Sequence, residues 1–319
     1  MKIRQRLATS AAIALAVICA SPLVSQELTL QHRWTKGETL RYVSTIETVM
    51  NMSGVPGMGE MTVTSTITQT QTFAVQDVAA DGSVTLRNVI DAIKLSVASP
   101  GGNVVYDSTA PPQAGADPIT DAFKVMGMVI GQPITLVVSR DSRVQKMSGA
   151  AELVEKLKRA MPAGMQVMGA GPEGMVSEDA KRSEFEQMFS WLPNRAVKPG
   201  ESWKHEMKVA TAVSSMTSSS TFTYRGILPE GGRTLARIES TTSAKPIPGT
   251  AAPMGPTSVQ LGDGTGTAES FVDPKAGRLE KITARSSQPV SISAGGADGN
   301  AMTMQGVMKT LYTAQLVVK

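Results

Sequence analysis

Cysteine is almost missing from this 319-residue chain, which has only Cys19. A lone thiol closes no disulfide, and the only two histidines, His32 and His205, leave little choice of general base for thiol or triad chemistry. No Gly-x-Ser-x-Gly elbow and no His-x-x-x-His or similar zinc spacing occurs. Carboxylates such as Glu184 and Glu186 point to different sides of a helix, so a paired-acid hydrolase has no visible seed. These gaps argue against an enzyme, and no cofactor or metal ligand set is expected. Aromatic residues make up only 4% of the chain. No apolar run reaches the ~20 residues that a membrane-spanning helix needs. Clustered basic residues are missing too. Without the three cations of residues 1–25, 28 basic groups face 27 acidic ones, a balance of +1 that offers no nucleic-acid footprint.

What is present begins with a leader. Lys2, Arg4 and Arg6 precede the uncharged stretch from Leu7 to Ala20, the pattern of a secretory signal peptide. Cleavage is expected between Ala20 and Gln26, giving a periplasmic or secreted chain. Ile18 stands where a lipoprotein leader carries a small residue, which argues against lipid anchoring through Cys19.

The remaining chain repeats itself. Arg33, Lys36, Gly37, Glu38, Thr39, Leu40, Arg41 and Tyr42 return as Arg195, Lys198, Gly200, Glu201, Ser202, Trp203, Lys204 and His205. Phe73 to Leu86, turning at Asp81-Gly82, corresponds to Tyr224 to Leu235. Val137 to Met147 corresponds to Phe271 to Ile282. Shared order as well as shared composition argues for a duplicated unit. The grammar is β. From Met61 to Val75, threonine fills every even position up to Thr72 while Val63, Ile67, Phe73 and Val75 share the other face, so a long half-buried strand is expected. Further strands are read at 41–52, 83–97, 134–138, 143–147, 204–213, 218–226, 233–240, 267–273, 278–285 and 303–318. Helices are expected over 150–160 behind Ser148, over 178–191 capped by Ser177, and over 118–128. Gly and Pro content marks 162–174, 243–266 and 295–299 as loops. The predicted fold is mainly β: two tandem related antiparallel, curved sheet units with a central helical insert packed against them. The division is residues 1–25 as leader, 26–149 as first unit, 150–192 as insert with a flexible loop, and 193–319 as second unit. Whether the units lie face to face or side by side stays open.

Three further motifs have more than one reading. Gly169-Ala170-Gly171-Pro172-Glu173-Gly174 matches the dinucleotide fingerprint in letters, but no strand precedes it and no βα alternation surrounds it. Asp263-Gly264-Thr265-Gly266-Thr267 lacks the spaced acids of a calcium loop. The 19 methionines include two clusters, Met50, Met52, Met58 and Met61, then Met161, Met165, Met168 and Met175. Thioethers bind Cu(I), but they also coat adaptable apolar grooves.

The opening Arg33-Trp34-Thr35-Lys36-Gly37-Glu38-Thr39-Leu40-Arg41-Tyr42, the Thr/Met run, Asp81-Gly82, Tyr106-Asp107-Ser108 and Lys198-Pro199-Gly200-Glu201-Ser202-Trp203 resemble an exported bacterial family of unknown function. The resemblance implies secretory or lipoprotein leaders and brings no activity. The expectation is therefore a non-enzymatic envelope protein that binds a lipid or other hydrophobic ligand in a groove between curved sheet and helices. Leu153, Leu157, Phe185, Met188 and Phe189 are the candidate lining. The alternatives are a structural or protein-interaction module of the envelope and, more distantly, Cu(I) binding.

Overall fold

The computed structural model describes residues 27–54, 59–110, 127–160, 178–210, 214–230, 232–250, 257–295 and 301–317. The leader, Met58, the second methionine cluster, the 162–174 loop and all but the last two residues of the 118–128 helix lie outside them. The first half contributes strands β1 (Leu28–Leu30), β2 (Thr39–Ser53), β3 (Met61–Val78), β4 (Val84–Ser99), β5 (Gly102–Asp107), β6 (Pro133–Val138) and β7 (Val144–Ser148). Helices α1 (Ala150–Ala160) and α2 (Glu178–Phe189) follow. The second half adds β8 (Arg195–Val197), β9 (Ser202–Ala210), β10 (Ser215–Glu230), β11 (Arg233–Pro246), β12 (Thr257–Leu261), β13 (Gly264–Asp273), β14 (Arg278–Gly295) and β15 (Ala301–Val317). The protein is mainly β with antiparallel, curved sheets and two helices, as the alternation predicts. Among the described residues no helix is long and apolar enough to cross a membrane.

The two meanders lie side by side. The main sheet runs β7-β6-β4-β3-β2-β15-β14-β13-β11-β10-β9, with β5 on the far half of β4 and β12 on the far half of β14. The seam is β2 with β15, paired from Arg41↔Val317 to Ser53↔Gln305. A second link, β1 with β8, ties the N-terminal segment to the start of the second meander. Matching features recur at matching places. The Gly37 amide donates to the Val75 carbonyl at 2.8 Å and the Gly200 amide to that of Tyr224 at 2.7 Å. In return, the Val75 and Tyr224 amides donate to the Glu38 and Glu201 carbonyls at 2.8 and 3.0 Å. Both glycines have positive φ, 83° and 88°. A bulge falls between Val137 and Val138 in one meander and between Phe271 and Val272 in the other.

The sheet does not close on itself, because α2 occupies the gap between its two edges. The Arg182 guanidinium donates to the Val144 carbonyl of β7 at 2.5 Å, while the Ser183 hydroxyl donates to the Lys208 carbonyl of β9 at 3.3 Å. Phe185 and Phe189 enter a core with Phe73, Leu86, Leu136 and Val138. A second core gathers Leu30, Trp191, Leu192, Val197, Trp203, Tyr224, Ile238 and Val272.

Several sequence expectations need correction. The 243–266 stretch is no continuous loop: β11 runs on to Pro246, β12 follows, and β13 starts at Gly264, because the long β14 offers a ladder along its whole length. Ser148, which stands ahead of the 150–160 helix, is the last residue of β7; the first helical bond of α1 runs from the Leu153 amide to the Gly149 carbonyl at 3.2 Å. Helix α2 ends at Phe189, and the Trp191 ring turns onto Phe222, 5.5 Å between centroids. Strands β1 and β8, three residues each, are too short for periodicity to reveal. In β3, only Gln71, Phe73 and Val75 are buried, and toward Met61 both faces are partly exposed.

Candidate functional site

Side chains on alternate residues of antiparallel neighbours share a face, so the register defines the inner face of the sheet. Its floor is a cavity of about 510 Å³ lined from β2, β3, β10, β11, β13, β14, β15 and α2. Strands β3 and β10 are six lanes apart, about 29 Å if flat at ~4.8 Å per lane. A common cavity requires the sheet to curl, and α2 forms the remaining wall.

The scarce aromatics collect here. Trp34, Tyr42, Phe73, Phe189, Trp191, Phe222 and Tyr312 all line the cavity. Trp34 meets Phe189 edge-on at 5.6 Å and Phe73 meets Phe189 at 5.8 Å, while Trp203 stacks on Phe222 at 5.7 Å from beneath. Trp203 Nε1 donates to the Trp191 carbonyl at 2.8 Å, and Trp191 Nε1 to that of Met188 at 3.1 Å, fastening the C-terminal end of α2 to β9. Among these rings sit neutral hydrogen-bonding groups: Ser44, Gln69, Gln71, Gln187, Ser240, Thr242 and Ser270. Gln71 is buried, and its side-chain oxygen accepts from Gln69 Nε2 at 3.2 Å.

Of the residues singled out from the sequence, Met188 and Phe189 line the cavity. Phe185 lies behind them against Phe73, 6.2 Å between centroids. Leu153 and Leu157 belong elsewhere, in a small cluster with Met128, Val129 and Val154. The strand residues of the cavity escape sequence reading, because polar Gln71 and Ser44 look like solvent-facing positions. The internal match of Leu40 with Trp203 is the signal that marks this end of each meander, but Leu40 pairs with Phe73 and Trp203 with Phe222, so the sequence match of Phe73 with Tyr224 is two residues out of register.

Two charged groups, Glu184 and Arg278, also line the cavity, and both are engaged, Glu184 with Lys181 at 2.7 Å. Arg278 pairs with Glu38, and Tyr42 donates its hydroxyl to the Leu279 carbonyl at 3.0 Å. Burial, seconded by the Glu280 charge, pushes the Tyr42 phenol up. Burial, with Glu184 adding to it, pushes Tyr312 up to about 12. His32 faces two carbonyls, Gly277 at 3.1 Å from Nδ1 and Phe189 at 2.9 Å from Nε2. Burial nevertheless lowers it to about 4 against those two hydrogen bonds. Ser190 and His205 stand 3.0 Å apart, but the serine hydroxyl donates to the Glu186 carbonyl at 2.5 Å. The serine therefore accepts from the imidazole, the reverse of the polarity an activated nucleophile requires. Burial first, then Arg143, lowers the His205 pKa. Among the described residues no three His, Cys, Asp or Glu side chains gather as a metal site.

Beyond the cavity the same face climbs toward the open end. On β2 it passes from Ile46 through Thr48 to Met50 and Met52, on β3 from Ile67 to Val63 and Met61, and on β15 from Tyr312 to Met308. These side chains are partly buried. The outer face is ionic, where Arg225 pairs with Glu239 at 2.7 Å and Arg237 with Glu239 and Glu269 at 2.8 and 2.6 Å.

Among solved structures, lipovitellin, described for its lipid–protein interactions, is 11% identical with a TM-score of 0.46. The alignment covers 90% of this chain and 26% of that one, so this chain spans about a quarter of the lipovitellin chain. An outer membrane channel from Pseudomonas putida F1 is 8% identical over 90% of this chain and 97% of its own, with a TM-score of 0.24. A DUF1329 family protein from Desulfovibrio piger is 7% identical over 86% and 83%, with a TM-score of 0.12. These likenesses say nothing of a ligand. No curated protein matches the sequence. A family model does match, from residue 81 at the β3–β4 turn to residue 277 at the β13–β14 turn. That is well over half of the chain, which therefore belongs to DUF6263, a family of unknown function.

Proposed function

We propose that this protein is a non-enzymatic, exported component of the cell envelope that holds a lipid or other hydrophobic ligand on the inner face of its curled sheet. The observation that carries the reading is the 510 Å³ cavity walled by aromatic rings and α2. Pockets of roughly 300–1,000 Å³ with mostly apolar walls and a few placed polar groups are the usual form of a small-ligand site. The amides and hydroxyls of the floor, with Glu184 and Arg278 already paired to Lys181 and Glu38, suit an amphiphile whose head group hydrogen-bonds without carrying charge. A non-enzymatic role agrees with the engaged Ser190–His205 pair and the carbonyl-bound His32.

The test is native mass spectrometry and organic extraction of freshly purified protein, followed by titration with a fluorescent fatty acyl probe. We expect one co-purifying amphiphile, and probe binding that is lost when Ala268→Phe fills the floor while the circular dichroism spectrum is kept. Protein that carries no lipid and ignores the probe would sink the reading. In that case an interaction module becomes the better account. Val105 on β5 is 62% exposed, and β5 pairs only with β4 among the described residues, which suits strand addition by a protein partner.

A further inference from the structure

The topology does something to the methionines that their spacing alone does not: it brings β15 beside β2. Met308 lies directly opposite Met50, and Met52 directly opposite Met61, so four thioethers from three adjacent strands occupy one patch of the inner face at its open end. Directly paired residues have Cβ atoms about 4.5–5.5 Å apart, and same-face neighbours along a strand are about 7 Å apart. Each methionine has three rotatable bonds with which to swing its sulfur inward. The remaining lanes leave room: Met52 faces Gly306 across the seam, which has no side chain, and Met50 faces Val63 on its other side. One step inward stand Thr48 and Thr310, and no carboxylate, imidazole or ammonium occupies these paired positions. All four methionines are partly exposed and open to exchange with solvent.

We propose that Met50, Met52, Met61 and Met308 form a binding site for a soft monovalent metal ion, Cu(I) or its redox-inert analogue Ag(I). Soft thioether donors select Cu(I), whereas carboxylate, carbonyl and water oxygens suit Mg²⁺, Ca²⁺ and Mn²⁺. The patch offers sulfur and no charged oxygen, so harder cations find no partner. A site at the lip is separate from the floor cavity, and its occupancy does not depend on a lipid being bound.

The experiment is an anaerobic competition between the full mature chain and a chromogenic Cu(I) chelator, with Ag(I) stoichiometry read by native mass spectrometry. One equivalent is expected. The triple variant Met50→Leu/Met52→Leu/Met61→Leu keeps side-chain volume and apolarity but removes three sulfurs, so it should weaken Cu(I) binding more than about tenfold while probe uptake in the cavity is unchanged. A control variant with Met161, Met165 and Met168 changed to leucine should bind as wild type. Unaltered affinity in the lip variant, loss in the control, or no competition by the wild type each overturns the site. If the lip variant does not fold, ¹³C-methyl methionine spectra of the wild type decide. Ag(I) should shift the four assigned methyl signals, and shifts confined to other methionines reject the proposal.

Discussion

At the scale of single residues, the matching positions of the two meanders supply their own controls. The Tyr224 hydroxyl is buried with no hydrogen-bond partner among the described residues, and the matching position in the first meander is the apolar Val75, whose carbonyl takes the Gly37 amide as that of Tyr224 takes the Gly200 amide. An unsatisfied buried hydroxyl costs about 1–3 kcal/mol, so Tyr224→Phe should leave stability unchanged or raise it, by a urea midpoint, and a clear loss would show a hidden partner. Gly37 and Gly200 have positive φ, and the space where a Cβ would stand is open to at least 4 Å, so only backbone strain opposes a side chain there. Valine at either should cost a similar amount, on the order of 1–3 kcal/mol, and widely unequal losses would mean the two turns only look alike. His32 yields a pH dependence. Unfolded, it binds a proton as pH drops through its ordinary 6.5, but folded it does so only near 4. The unfolded chain thus holds the extra proton between those values, and stability falls as pH goes from 6.5 toward 4, with no such effect above 6.5. Urea midpoints of wild type and His32→Gln should converge on acidification, since the variant lacks this titration; parallel curves would assign the loss to other groups.

Among the elements, α2 is the one that makes the architecture workable. An open sheet has two edges with unpaired backbone groups, and α2 covers both by touching β7 and β9. Truncating its anchor, Phe185→Ala, should cost about 3–5 kcal/mol, because the ring is buried against Phe73 and leaves a cavity. Light scattering of that variant should also reveal association through the loosened edges, and a variant that stays monomeric would deny the helix its covering role. The helix itself was legible: acids at its start and the spacing of Phe185, Met188 and Phe189 placed it to within about two residues. Its partner surface was not, because Arg182 and Ser183 reach carbonyls of β7 and β9, contacts for which a sequence carries no marker.

For the molecule as a whole, the seam between β2 and β15 governs behaviour. Arg41 pairs with Val317, so the first long strand lies beside the last and the meanders share one ladder. Unfolding should be a single cooperative transition in which fluorescence and circular dichroism coincide, and two separable steps would show independent units. Pairings this distant in sequence also make folding slow, since a loop of most of the chain must close before the seam forms.

Amphipathic alternation, glycine turns and a helical period are local properties, and these determined by themselves the β class, the main strands, both helices and the repeated turns. Which strand lies beside which is decided by hydrogen bonds between residues hundreds of positions apart. The cavity floor and the methionine patch exist only through that pairing, which sets Met308 against Met50 and lets α2 fill the gap that a curled sheet leaves between its edges.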